Sequence, residues 1–190
     1  MLAIGLAACG AGSAAAGQDP DALLDAAIAD FERGRIDESV AGFDRVAALV
    51  PRAMPQLWQR GIALYYAGRF DECRQQFEVH RTVNPNDVEN AAWHYLCVAR
   101  AESPARARAA LLPVGPDARV PMREVYELYR GTLTPEQLLR AAGTHPSAVF
   151  YANLYLGLYF EAAGEVARAR PALELAAQDR FRQVGGYMHM

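Results

Sequence analysis

The chain has 190 residues, room for one sizeable core or a short array of repeats. Its 52% apolar and 22% charged residues are the proportions of a soluble globular protein. A net charge of -3 argues against a nucleic-acid partner, which rewards a basic face. All 19 basic residues are Arg, a bias that GC-rich coding explains without selection for guanidinium chemistry. No run in the chain reaches the ~18 consecutive apolar residues of a spanning helix, so a membrane link would have to be made by lipid.

Residues 1–19 are set apart. MLAIGLAACGAGSAAAG is small and apolar, with no helix-period pattern. Its Leu6-Ala7-Ala8-Cys9 resembles the lipobox of bacterial lipoproteins. That resemblance implies that Cys9 is lipidated and becomes the mature N-terminus, followed by a flexible Gly/Ala/Ser tether. The apolar stretch before Cys9 is short and no positive residue precedes it. Ala14-Ala15-Ala16 offers a site for ordinary signal peptidase instead, and an untargeted tail is the third reading.

From residue 20 onward the chain repeats itself. ALLDAAIADFERGRIDESVAGF (22–43) and LWQRGIALYYAGRFDECRQQF (57–77) align with a constant offset. Gly34 and Gly68 are 34 apart, as are Asp37 and Asp71, Phe43 and Phe77, and Pro51 and Pro85. Each unit reads as two helices: the glycine makes the tight turn and the Asp sits in the first turn of the second helix. The Phe fills its inner face, and the Pro ends it. Asn84-Pro85-Asn86-Asp87 caps a third first-helix, Val88 to Ala101, with Glu102 where the turn glycine would stand. Ser103-Pro104 then opens a helix expected over Ala105 to Leu112. PVGPDARVP (113–121) breaks the pattern. MREVYELYRG and TPEQLLRAAG follow as two short helices about Gly131, the second opened by a capping box at Thr134 and Gln137. The last unit, YLGLYFEAAGEVARARPAL, turns at Gly164, and its Pro171 predicts a kink or an early stop. The expected units are about 20–53, 54–87, 88–116, 117–146 and 147–180, the third and fourth degenerate, with a remnant cap over 181–190.

Self-similarity at this period resembles the tetratricopeptide repeat (TPR) family. The expected fold is therefore all-α, a right-handed superhelix of about five stacked helix pairs. Narrower similarity to a group of bacterial and plastid TPR proteins rests on LWQRGIALYYAGRF (57–70), NPNDVENAAWHYLC (84–97), PMREVYELY (121–129) and FYANLYLGLYFE (150–161). The N-terminus is also similar to that of envelope lipoproteins built from TPRs, which act as adaptors. In the family the first helix of each unit lines a concave groove. Carried over by position, the resemblance implies a groove of Leu24, Ile28 and Phe31, then Trp58, Ile62 and Tyr65. Glu89, Ala92 and Leu96 follow from the third unit, and Tyr151, Leu154 and Leu158 from the fifth. Such a wall suits an extended peptide or partner helix; a shift of one register step would instead bury several of these side chains in the core. The Lys and Asn clamp with which chaperone-type TPRs hold a C-terminal carboxylate is absent: Leu24, Ile28, Gln59, Glu89 and Trp93 stand there. Among the polar residues of the narrower similarity, Arg60, Glu89, Arg123 and Glu124 stand out. Arg60 is expected to bond loop carbonyls of the neighbouring unit, or else to hold a ligand carboxylate.

Little here suggests catalysis. GxSxG, HExxH and Gly-rich phosphate loops are missing, and no CxxC or paired His suggests zinc. His94 and Cys97 imitate a Cys–His pair, and Met188-His189-Met190 offers soft ligands for copper. A core histidine and a frayed terminus are the plainer readings. Cys73 and Cys97 read as small hydrophobes on apolar faces, with a disulfide as the alternative in an oxidising compartment. The expected function is thus a non-enzymatic adaptor without cofactor or metal, envelope-anchored through Cys9 or, alternatively, cytoplasmic.

Overall fold

A computed structural model describes residues 19–184. It contains ten α-helices and no strand among the described residues. They are α1 (Pro20–Glu32), α2 (Ile36–Leu49), α3 (Trp58–Tyr66), α4 (Phe70–His80), α5 (Val88–Ala101), α6 (Pro104–Ala109), α7 (Met122–Arg130), α8 (Pro135–Ala142), α9 (Pro146–Ala162) and α10 (Val166–Ala176). A 3₁₀ segment, Pro51–Gln56, joins α2 to α3, and another, Asp179–Phe181, follows α10. The helices pack in successive pairs, α1 with α2, α3 with α4, α5 with α6, α7 with α8 and α9 with α10.

Four corners share one geometry. Gly34, Gly68, Gly131 and Gly164 have φ of +71°, +72°, +87° and +78°, the left-handed region that a side chain enters only at a cost. At each, the residue after the glycine donates its N–H to the carbonyl five residues back. The distances are 2.8 Å for Arg35 to Asp30, 2.9 Å for Arg69 to Leu64, 2.9 Å for Thr132 to Glu127 and 2.8 Å for Glu165 to Phe160. This bond satisfies a carbonyl that the helix end leaves open and turns the chain back on itself. Helix starts are equally local. The side chains of Asp19, Asp87 and Ser103 accept from backbone N–H groups of α1, α5 and α6, and Thr134 and Gln137 form the capping box of α8.

Small residues set how closely each hairpin closes. A Cβ on Gly42 of α2 would lie 2.8 Å from Cβ of Ala27 on α1. In the next hairpin the small residue is on the other helix: a Cβ on Gly61 of α3 would lie 2.6 Å from Phe77 of α4. Gly157 of α9 repeats that arrangement against Leu173 of α10. Phe43 and Phe77, 34 residues apart, are both fully buried.

Two sequence expectations for the helices are corrected. The helix after Ser103 stops at Ala109 rather than Leu112, and residues 110–121 run as a strap over the start of α5. Arg81 Nε donates to the Pro113 carbonyl (3.1 Å), Gly115 N–H to that of Pro85 (3.3 Å), and Val88 N–H to Asp117 Oδ2 (3.4 Å). Those backbone groups are satisfied by the strap, which removes the drive to extend the helix. Pro171 does not stop α10, which runs from Val166 to Ala176. Its ring lies on the exposed side, and its missing N–H forgoes one backbone bond.

The longest helix, α9, is apolar on every side and almost wholly buried. It packs not only on α8 and α10 but back on α7 and α5. Tyr95, Tyr129, Tyr155 and Tyr159 meet there, with the Tyr95 and Tyr129 rings 4.9 Å apart and Tyr129 Oη donating 2.9 Å to the Tyr155 carbonyl. One hydrophobic core therefore runs from Ala27 to Phe181, beside a small second cluster about Val46 and Leu57. Phe181 closes the end against Phe150, so the expected cap is a single short turn within the described residues.

Cys73 of α4 and Cys97 of α5 are joined by a disulfide, Cα atoms 5.8 Å apart, which ties the second hairpin to the third. The reading of these cysteines as separate small hydrophobes is corrected accordingly. The N-terminal expectations, Cys9 among them, and Met188-His189-Met190 lie outside the described residues.

Candidate binding cleft

The residues expected to line a groove divide into two sets. Ile62, Tyr65, Leu96 and Leu158 are at most 4% exposed and belong to the core. Ala92 and Leu154 are buried with them. For these the groove expectation is corrected. Tyr65 lies between the rings of Trp93 (5.5 Å) and Phe70 (5.7 Å), and α9 packs across α5 where an open face was expected. Leu24, Ile28, Phe31, Trp58, Glu89 and Tyr151 remain partly exposed. Of these, Leu24, Trp58, Glu89 and Tyr151 stand in the first two turns of α1, α3, α5 and α9, so part of what is open to solvent is the edge where those helices begin.

A cleft of roughly 350 Å³ opens at that edge between α3, α4 and α5. Its apolar walls are Trp58, Phe77 and Trp93, the last two stacked 6.3 Å apart with planes 12° from parallel. Its polar lining includes His80, Asp87, Glu89 and Asn90. A smaller, mostly apolar cleft of roughly 230 Å³ lies on the other side of Trp58, with Leu24 and Leu57 in its wall. Trp58 is the partition between them.

The hydrogen-bonding roles in the larger cleft follow from its contacts. His80 Nδ1 is 2.7 Å from the Pro55 carbonyl, which only accepts, so Nδ1 carries the proton and a neutral ring leaves Nε2 as an acceptor. Asp87 caps α5 through Glu89 N–H (3.0 Å) and accepts from Asn84 Nδ2 (2.9 Å). Glu89 Oε2 accepts from Tyr155 Oη at 2.6 Å. Burial first, and then the Glu89 carboxylate, push the Tyr155 phenol well above its usual pKa, which keeps it a donor. Arg119 of the strap pairs with Asp87, Glu89 and Asp117. Burial raises the Asp117 carboxyl, but the Arg119 guanidinium and N–H override it and hold it below the usual carboxylate range. Three carboxylates against one guanidinium leave the cluster with an excess of two negative charges. Asn90 Oδ1 and Trp93 Nε1, both buried, have no hydrogen-bond partner among the described residues.

Arg60 is a brace between hairpins. Its Nε donates to Asp44 (2.8 Å) of α2 and its Nη1 to Gln76 (3.1 Å) of α4, whose own Nε2 donates to the Met54 carbonyl (2.8 Å). The partners are a side chain of the preceding hairpin and one of its own. His94 is a core histidine, with Nε2 3.4 Å from Glu78. Cys97 is bonded to Cys73, so the imitation of a Cys–His nucleophile has no thiol.

Sequence reasoning missed His80, Asp87, Asn90 and Arg119 as parts of one site. Glu89 and Trp93, four apart on α5, were a usable signal for a shared face. Arg119 sits in a loop that no periodicity places. No family model matches the chain.

Proposed function

We propose that this protein is a non-enzymatic interaction module of the TPR type, an adaptor held at a bacterial envelope membrane through lipid on Cys9. It binds an extended segment of a partner polypeptide along the edge where the first helices of its hairpins begin. The observation that carries this reading is the recurrence of one left-handed glycine corner at Gly34, Gly68, Gly131 and Gly164, with the same backbone bond at each. Equivalent hairpins that cannot bury their faces alone must stack, and stacking presents successive helix starts side by side. Leu24, Trp58 and Glu89 then line one edge, with the two clefts between them. The Cys73–Cys97 disulfide supports an oxidising compartment over the cytoplasm.

The test is site-specific crosslinking in the native host, with a photoreactive residue at Trp58 and, separately, at exposed Glu174 on α10. Discrete adducts with a polypeptide at position 58, absent at 174, are expected. No adduct at 58, or the same adducts at both positions, removes the edge as the binding surface. Fractionation of Cys9→Ala against the parent tests the tether: a parent chain already in the soluble fraction rules it out.

A further inference from the structure

The cleft between α3, α4 and α5 has a chemistry more specific than that of an apolar slot. Two of its walls are indoles, and the chain contains only two Trp. Its polar lining is rich in acceptors: the carboxylates of Asp87 and Glu89, the unpartnered Asn90 Oδ1, and Nε2 of His80. No Lys or Arg is in the lining, and Arg119, whose guanidinium pairs with the lining residues Asp87 and Glu89, faces three carboxylates. A guest that is flat, cationic and purely a donor matches such a surface. A guanidinium has five N–H donors and no acceptor, stacks on aromatic faces and forks across carboxylates. The chain packs Arg this way within itself: Arg100 lies over Phe70 (5.0 Å) and Arg168 over Phe160 (3.9 Å).

The remaining unpartnered group is a donor, Trp93 Nε1–H. A guanidinium cannot satisfy it, whereas a peptide carbonyl next to the arginine can. A buried donor or acceptor left unmade is costly, so a guest that meets both regains that cost on binding. The volume, at the low end of the ~300–1,000 Å³ of ligand pockets, suits one side chain with its flanking amide rather than a large ligand.

We propose that this cleft is a receptor for an arginine side chain of the partner polypeptide, its guanidinium against Trp58 and facing Asp87 and Glu89, with an adjoining backbone carbonyl directed to Trp93. This deepens the reading of the edge as a protein-binding surface and rests on it.

Because both tryptophans line the cleft, and Trp93 does not line the smaller one, the tryptophan fluorescence of the intact chain reports on it. The probe is N-acetyl-arginine N-methylamide, compared with its citrulline and leucine counterparts. Citrulline keeps the shape and removes the charge. A saturable fluorescence change with the arginine probe is expected in the millimolar range, about tenfold weaker with citrulline and weakened by salt. Asp87→Asn keeps the helix cap while removing one charge, and weakens the arginine probe several-fold with the circular dichroism of the parent. Trp58→Leu, folded by the same criterion, abolishes the change. Equal binding of arginine and citrulline, preference for leucine, no change at ~10 mM probe, or full response in Trp58→Leu each overturns the proposal. Crosslinking at Trp58 without a response to the probe refutes the arginine receptor alone. A response without crosslinks refutes the adaptor reading alone.

Discussion

Removing the Cys73–Cys97 bond tests the internal organisation most directly. Both half-cystines are fully buried, on α4 and α5, and the bond spans a sequence separation of 24 residues. In the chain-entropy account, closing a loop of that length lowers the entropy of the unfolded chain by 2.1 + 1.5R ln n, about 12 cal/mol/K, or about 3.5 kcal/mol at 25 °C. The perturbation is Cys73→Ala/Cys97→Ala, read by urea unfolding and by thermal melting against the oxidised parent. For a domain of this size each kcal/mol moves the midpoint about 2–4 °C, so a drop of about 7–14 °C is expected. Dithiothreitol brings the parent toward the variant and leaves the variant unchanged. Thiol titration of the unfolded, unreduced and unlipidated chain finds one reactive group, Cys9, out of three. Three reactive thiols, or coincident melts of parent and variant, refute the reasoning.

Other expectations follow from the packing and the charges. Gly61→Ala places a Cβ 2.6 Å from the Phe77 ring and destabilises by about 1–3 kcal/mol in urea unfolding, part of which Phe77→Leu restores in a double-mutant cycle. Burial lowers the His94 pKa below the ordinary value, outweighing the opposing pull of Glu78. The unfolded chain therefore binds the proton more readily, and stability present above about pH 6.5 is lost as pH falls below it. His94→Gln flattens that limb of a pH series of urea midpoints, whereas the carboxylate limb near pH ~4 persists. Arg119→Ala leaves the buried Asp117 carboxylate without its main partner. It costs about 1–2 kcal/mol after allowance for the exposure of the guanidinium, and hydrogen exchange accelerates over residues 110–121 ahead of the helices.

What the sequence disclosed is what local chemistry decides. The 34-residue offset located Gly34 and Gly68, and the left-handed backbone at both is a property of each turn by itself. The bounds of α5 and the Thr134 capping box were legible for the same reason, since Asp87 and Thr134 act within one turn of the residues they cap. Ile62, Leu96 and Leu158 were misplaced because a periodic pattern says which face is apolar, not whether a distant helix covers it. Over α5 the covering helix is α9, whose uniform apolarity, read as a repeat motif, was the clue that it is enclosed. The cleft was half legible. Trp58 and Glu89 were on the expected face, but the acid cluster needs Arg119, which reaches Asp87 from 32 residues away through a strap without periodicity.

The return of α9 onto α5 sets a limit on how this molecule can be edited. An open ladder of hairpins loses rungs one at a time from either end, and consensus rungs can be inserted at will. Here the fifth rung supplies a wall for the third, so deleting it strips cover from Tyr95 of the third as well as from Tyr129 of its own neighbour. Shortening the chain from that end should collapse cooperativity instead of producing a smaller, still-folded relative.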